Sequence, residues 1–186
     1  MTQLRVDAQE NRARIVDAAR ALFAEEGLAV GMREIARRAD VGPATLYRRF
    51  PTKQDLIDVA FAEELQQCRR IVVEGCDDPD PWRGFSSVVH HLTVLNSQNR
   101  GFVAAFTAQD PDGEVRSTIT RQRQELLPRL ADLVRRAQRA GALRSDFTMD
   151  DLLLVLQAGR GLFSVRPTKA AARRFAEIVL DGLRAR

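Results

Sequence analysis

Apolar residues recur at helical spacing along nearly the whole chain, and the strict alternation of a half-buried strand is almost nowhere. This pattern restricts the fold to an all-α class, because helical stripes must be buried against one another. Ile15, Ala18, Ala19, Leu22 and Phe23 share one helical face, and Gly27 stands where such a helix would stop. Met32, Ile35, Ala36 and Ala39 form a second, short stripe. A third short helix opens at Gly42-Pro43, where proline's missing N–H costs nothing; it turns Leu46 and Phe50 inward and ends at Pro51. Thr52 with Asp55 three residues on reads as a variant capping box, and a long connecting helix is expected over residues 52–74.

The run Asp77-Asp78-Pro79-Asp80-Pro81 is the strongest breaker in the sequence. Beyond it helices are expected near 82–96, 102–109, 114–140 and 149–163, with a last one after Pro167-Thr168. Pro128 should kink the long one or restart it. Thr148 with Asp151 is another cap pair, and Gly141 another stop. The count is about nine helices. A length of 186 residues then divides into a head at 1–51, a connecting helix at 52–74 and a body at 75–186. With 45% hydrophobic residues the chain can build a core, yet its longest apolar run, Leu152 to Leu156, is far below the ~20 residues of a membrane span. Thr2, Gln3, Leu4 and Arg5 lack the apolar core of a secretion signal, so a soluble cytoplasmic protein is expected. Cys68 and Cys76 make neither a disulfide framework nor a zinc motif, and read as small, half-buried helix residues.

The head carries the chemistry. Two short helices, 32–39 and 43–49, joined by Asp40-Val41-Gly42, have the spacing of a helix-turn-helix, whose second helix can enter a major groove. Val41 is the apolar plug of the turn. Between Met32 and Lys53 six cations (Arg33, Arg37, Arg38, Arg48, Arg49 and Lys53) face only Glu34 and Asp40. The resulting +4 equals the net charge of the whole chain, so the other residues balance. Guanidinium groups bind phosphates, and bidentately the O6/N7 edge of guanine. Pro43, Ala44 and Thr45 are short, which lets the helix start approach a groove closely. Tyr47 offers a hydroxyl to a phosphate, and Lys53 sits in a helix first turn that already favours an anion. Helix pairs with surface arginines also occur in ordinary bundles, and the pattern alone leaves both readings open.

The stretch from Ile35 to Lys53, with Ile35-Ala36, Ala39-Asp40-Val41, Thr45-Leu46-Tyr47, Phe50-Pro51 and Thr52-Lys53 in register, resembles the DNA-binding signature of the tetracycline-repressor (TetR) family. The likeness covers about the first 60 residues. It implies a homodimer that reads an operator in double-stranded DNA through the head and senses a small-molecule effector in the body. Carried over by position, Leu46 and Phe50 would be core, Tyr47 and Lys53 would hold phosphates, and Gly42, Ala44, Thr45 and Arg48 would face the groove, with Arg33, Pro43 and Arg49 beside them. The chain departs from the pattern in three places. Gly31 stands where a capping Thr or Ser is usual. Asp40 replaces the turn glycine, although Asp tolerates a left-handed conformation. Gly42-Pro43-Ala44 replaces a more polar opening, which moves base reading toward Thr45 and Arg48.

In the body, Trp82, Phe85, Val88, Val89, Leu92, Phe102 and Phe106 either line a cavity or fill an ordinary core. His91 is a further pocket candidate, as are the polar Gln109, Arg116, Gln122 and Arg160. His90 and His91 are adjacent, diverge by ~100° on a helix and cannot chelate one metal together; no metal or cofactor is expected. For a dimer interface the last two helices stand out, with Leu152, Leu156, Gly159 and Phe163 on one and Phe175 and Val179 on the other. Ser86 and His90 are four apart, but no acid is placed to orient the histidine, and GxSxG, HExxH, P-loop and GxGxxG motifs are absent. The expected function is a DNA-binding transcriptional regulator, most simply a repressor released by its effector, and not an enzyme. The alternative is a helical ligand-binding protein that no longer reads DNA.

Overall fold

The computed structural model describes residues 3–107, 117–162 and 168–185. They form ten α-helices: α1 (Gln3–Glu25), α2 (Met32–Arg38), α3 (Pro43–Arg49), α4 (Lys53–Ala60), α5 (Ala62–Asp77), α6 (Pro81–Gln98), α7 (Arg100–Thr107), α8 (Thr118–Arg139), α9 (Met149–Leu162) and α10 (Lys169–Leu183). Among the described residues there is no strand, only an isolated bridge between Leu143 and Arg184. The all-α expectation holds, and the tenth helix arises because the expected connecting helix is broken at Phe61. That residue leaves helical geometry at φ −111° and ψ 17°. α1 also begins twelve residues ahead of its apolar stripe, and α8 runs through Pro128 as one element.

The chain folds as two units, Met1–Glu63 with Arg100–Ile119, and Glu64–Asn99 with Thr120–Arg186. In the first, α1 packs on α2 and α4, and α2 on α3, and the α1 stripe is buried together with Met32, Ile35, Ala36, Leu46, Leu56 and Ala60. A chain of rings extends this core, with centroids of Phe23 and Phe61 5.9 Å apart and those of Phe61 and Phe102 6.1 Å apart. Gly101 makes room for it, since a Cβ there would stand 2.8 Å from the Phe61 ring and 3.0 Å from the Phe23 carbonyl oxygen.

A polar link closes this unit. Asp58 of α4 accepts from the Thr118 amide at 2.6 Å and from Ser117 Oγ and Gln54 Nε2 at 3.0 and 2.9 Å. The carboxylate therefore caps the start of α8 from another helix, satisfying amides that the helix itself leaves unpaired. Asp58→Ala is expected to cost about 0.5–2 kcal/mol, the usual range for losing a helix cap. The loss should appear as a lower urea midpoint with faster exchange of the Thr118 amide, and an unchanged midpoint would contradict the capping role.

In the second unit α6 is central, with α9 and α10 both packed on it. Phe85, Val88, Val89 and Leu92 of α6 are buried with Leu65 and Val72 of α5, Leu126 and Leu133 of α8, and Leu152 of α9. α5 and α6 approach through Gly75 and Gly84. Arg136 of α8 donates to the carbonyl oxygens of Cys76 and Asp78, both at 2.7 Å, and so caps the end of α5. The expected caps form, Thr52 with Asp55 on α4 and Thr148 with Asp151 on α9, and Thr168 caps α10. Burial pushes the Cys68 thiol up to about 12, so it acts as a buried apolar group.

Candidate nucleic-acid interface

The bend between α2 and α3 is built by the backbone. Asp40 takes a left-handed φ of 53°. Its amide donates to the Arg37 carbonyl at 3.2 Å, and the Val41 amide donates to the Ala36 carbonyl at 3.0 Å. These two bonds make a Schellman stop. Asp in place of glycine preserves the turn, as expected for a short polar residue that tolerates this region. Gly42 is the cap residue of α3 and Pro43 its first helical residue. Leu46 and Phe50 are buried and fix the roll of α3, which decides what its outer face presents.

That face carries Gly42, Pro43, Ala44, Arg48 and Arg49, all exposed, with Thr45 half-buried and Tyr47 47% exposed. Arg33 is exposed in the first turn of α2. The structure thus brings eight of the nine proposed DNA-facing residues to the surface of one helix pair. Of the remaining arginines in the patch, Arg37 is paired with Glu34 and Arg38 with Glu25 at 3.2 Å. Both pairs are exposed, so they are weak and exchangeable for a stronger anion.

Lys53 departs from expectation. Its ammonium points back into the unit and donates to the Leu28 carbonyl oxygen, and burial lowers its pKa. The first turn of α4 is also already occupied. Asp55 Oδ2 accepts from the Thr52 amide at 2.9 Å, while Thr52 Oγ1 accepts from the Asp55 amide at 3.1 Å. A carboxylate holding the N-terminus of α4 opposes a phosphate there. Lys53 accordingly ties α4 to the loop after α1 in this structure.

The proposed ligand residues fall into two groups. Phe102 is buried in the first unit and Phe106, half-buried there, lies 5.7 Å from it ring to ring. Trp82, Phe85, Val89 and His91 belong to the second unit. Phe85 and Val89 are core, the Phe85 ring edge-on to Phe147 at 5.6 Å. Trp82 and His91 border an open groove of about 450 Å³ with Ser86, His90 and Leu180. His91 Nδ1 lies 2.8 Å from the Ser87 carbonyl oxygen. Desolvation, then the neighbouring His91 and Arg173, lower the His90 pKa against a weaker pull from Glu177. Gln122 donates to the Leu65 carbonyl oxygen at 2.7 Å, so its amide is engaged in the fold. Gln109 and Arg116 lie outside the described residues, and the Arg160 side chain is not described. Among the described residues no group of three metal-ligating side chains converges, and no helix is long and apolar enough to cross a membrane.

Of the proposed interface residues, Leu152 is buried within its own unit and has nothing left to offer a partner. Leu156, Phe175 and Val179 are half-buried. Phe163 lies outside the described residues, and nothing is described around the α-carbon of Gly159. What sequence reasoning missed is that Leu154 of α9 and Ile178 of α10 are 63% and 56% exposed. With Ala171, Phe175 and Gly182, Ile178 makes one stripe along α10, at i, i+4, i+7 and i+11. Leu154 and Leu183 line a single groove of about 450 Å³.

A bend set by a Schellman stop, a short second helix anchored by two buried residues and a cationic outer face define the helix-turn-helix class of nucleic-acid readers. Comparison with known proteins narrows this. Residues 15–60 match the profile of bacterial regulatory proteins of the tetR family, and residues 80–185 that of the SbtR-like transcriptional regulator C-terminal domain. The chain belongs to the TetR family of transcription regulators. It is 48% identical over 60 residues to the HTH-type transcriptional repressor KstR of Rhodococcus jostii, a match covering 32% of this chain and 28% of that protein. The chain therefore spans less than a third of that relative's length in alignment. A tetR-family regulatory protein from Rhodococcus RHA1 superposes with a TM-score of 0.69 at 20% identity, covering 95% of this chain and 98% of the other. The TetR regulator SCO0520 from Streptomyces coelicolor is 32% identical, with a TM-score of 0.53 and coverage of 94% and 98%.

Proposed function

We propose that this regulator is a homodimeric repressor that binds operator DNA through α3 and is released when a small molecule binds its second unit. The carrying observation is the division of α3 into a buried pair, Leu46 and Phe50, and an outer face of Ala44, Thr45, Tyr47, Arg48 and Arg49. The small apolar start, Pro43 and Ala44, suits van der Waals contact with thymine methyl groups, and Arg48 suits guanine. Tyr47, Arg33 and Arg49 would hold phosphates and set register without reading sequence.

Two copies are needed to read two half-sites about 34–36 Å apart. The exposed apolar residues of α9 and α10 are the surface on which a second copy would seat. Release follows if an effector binds more tightly to a form of the dimer whose heads no longer match that spacing; equal affinity for both forms would shift nothing. Such a protein would act in the cytoplasm, where its DNA is.

A gel shift on the DNA upstream of its own gene tests the reading. Arg48→Ala is expected to weaken binding roughly 5- to 150-fold, the range for one bidentate base contact, and to relax preference at a single base pair. Undiminished binding by Arg48→Ala combined with Tyr47→Phe would exclude these assignments.

A further inference from the structure

Cations near α3 extend beyond residues 32–53. Two lie on α1, ahead of the residues matched by the family profile. Arg12 is exposed and its guanidinium sits 5.8 Å from the centroid of the Phe50 ring, the residue that ends α3. Arg14, half exposed, lies 3.9 Å from the Asp40 carboxylate in the turn that precedes α3 and donates to Asn11 Oδ1.

Two residues apart on a helix, these side chains diverge by about 200°. They therefore straddle the buried stripe of Ile15, Ala18, Ala19 and Leu22. The first unit thereby places one guanidinium at each end of α3. A helix lying in the major groove has a phosphate backbone on either side of it, and arginine is suited to both. Among the described residues neither group makes a strong bond elsewhere. The Asp40 carboxylate is fully exposed, so its pull on Arg14 is weak and a phosphate would replace it. The Phe50 ring supports Arg12 from one side, and the Arg12 side chain is exposed.

We propose that Arg12 and Arg14 are phosphate contacts that seat α3, one at each end of the helix, extending the DNA surface beyond residues 32–53. The proposal rests on the head being a DNA reader, and the test separates the two. Binding of the full-length protein to a mixed-sequence duplex of about 30 base pairs is measured by fluorescence anisotropy between about 50 and 200 mM salt. Arg12→Gln and Arg14→Gln are each expected to flatten the slope of log affinity against log salt by about 0.9 for every bound head, and to weaken all sequences alike. Arg12→Lys should restore the slope, because it keeps the charge. Arg135→Gln, an exposed residue of α8, should leave it unchanged. A purely structural role for Arg12, through Phe50, would lower thermal stability without moving the slope. Unchanged slopes for Arg12→Gln and Arg14→Gln, with a reduced slope for Arg33→Gln, would overturn this inference and leave the DNA reading standing. A parent protein whose binding ignores salt would overturn both.

Discussion

Leu154→Glu with Ile178→Glu is expected to yield a folded monomer that binds its operator 10²- to 10⁴-fold more weakly than the parent. Both side chains are already in water in the single chain, at 63% and 56% exposure, so the substitutions remove no contact of the core. Surface changes of this kind usually alter the stability of a chain by less than about 0.5 kcal/mol. In the proposed dimer their effect falls on the partner. Four carboxylates brought into the proposed apolar interface would have to lose water on association, which is costly. Operator binding then suffers because the second head no longer arrives at the high effective concentration that the first provides, and that linkage alone accounts for 10²–10⁴. Sedimentation should show half the parent's mass with the far-ultraviolet helix signal retained. A double variant that still sediments with the parent would place the interface elsewhere on the second unit.

The same residues show how far the sequence could be read. The apolar residues of the penultimate helix wrap most of its circumference, so periodicity alone cannot say which are covered by the chain itself. Packing on α6 decides it: Leu152 goes inward and Leu154 is left out. Features held by local chemistry were legible, because they depend on a few adjacent residues. The turn at Asp40, the proline start of α3, and the caps at Thr52 and Thr148 are of this kind.

Features set by distant neighbours were not legible. Leu56, Ala60, Phe61 and Leu65 keep helical spacing across a break that exists because the Phe61 ring packs between Phe23 and Phe102. Phe102 itself joins the first unit because Gly101 lets α7 approach Phe61, which no pattern around residue 102 announces. α1 extends ahead of Ile15 through Gln, Arg, Glu and Ala, good helix formers that carry no apolar stripe. Lys53 illustrates a third limit. A long side chain in a helix first turn can reach outward to a phosphate or back to a bare carbonyl, and only the position of Leu28 shows which it takes here.

Gly84→Ala is expected to destabilise the protein by about 3 kcal/mol, the upper part of the usual range for overpacking a core. In an ordinary helix interior the same change would stabilise by about 1 kcal/mol, because glycine gives up more backbone freedom than alanine. Here the sign inverts. A Cβ on Gly84 would stand 2.2 Å from the Gly75 carbonyl oxygen and 3.1 Å from Asp78 Cβ, so it meets backbone that cannot rotate away. The reciprocal change, Gly75→Ala, collides with Val88 Cγ2 at 2.3 Å and with the Gly84 carbonyl oxygen at 2.9 Å. Relief requires α5 and α6 to separate, and Val88 and Phe85, both buried beside the crossing, would then lose packing along α6. Thermal melts should fall by roughly 6–12 °C for a chain of this length, at 2–4 °C per kcal/mol. Gly84→Ala with Gly75→Ala should cost less than the sum of the two, since one separation of the helices relieves both collisions. A melting temperature at or above the parent's for Gly84→Ala would show that the two helices do not meet through these glycines.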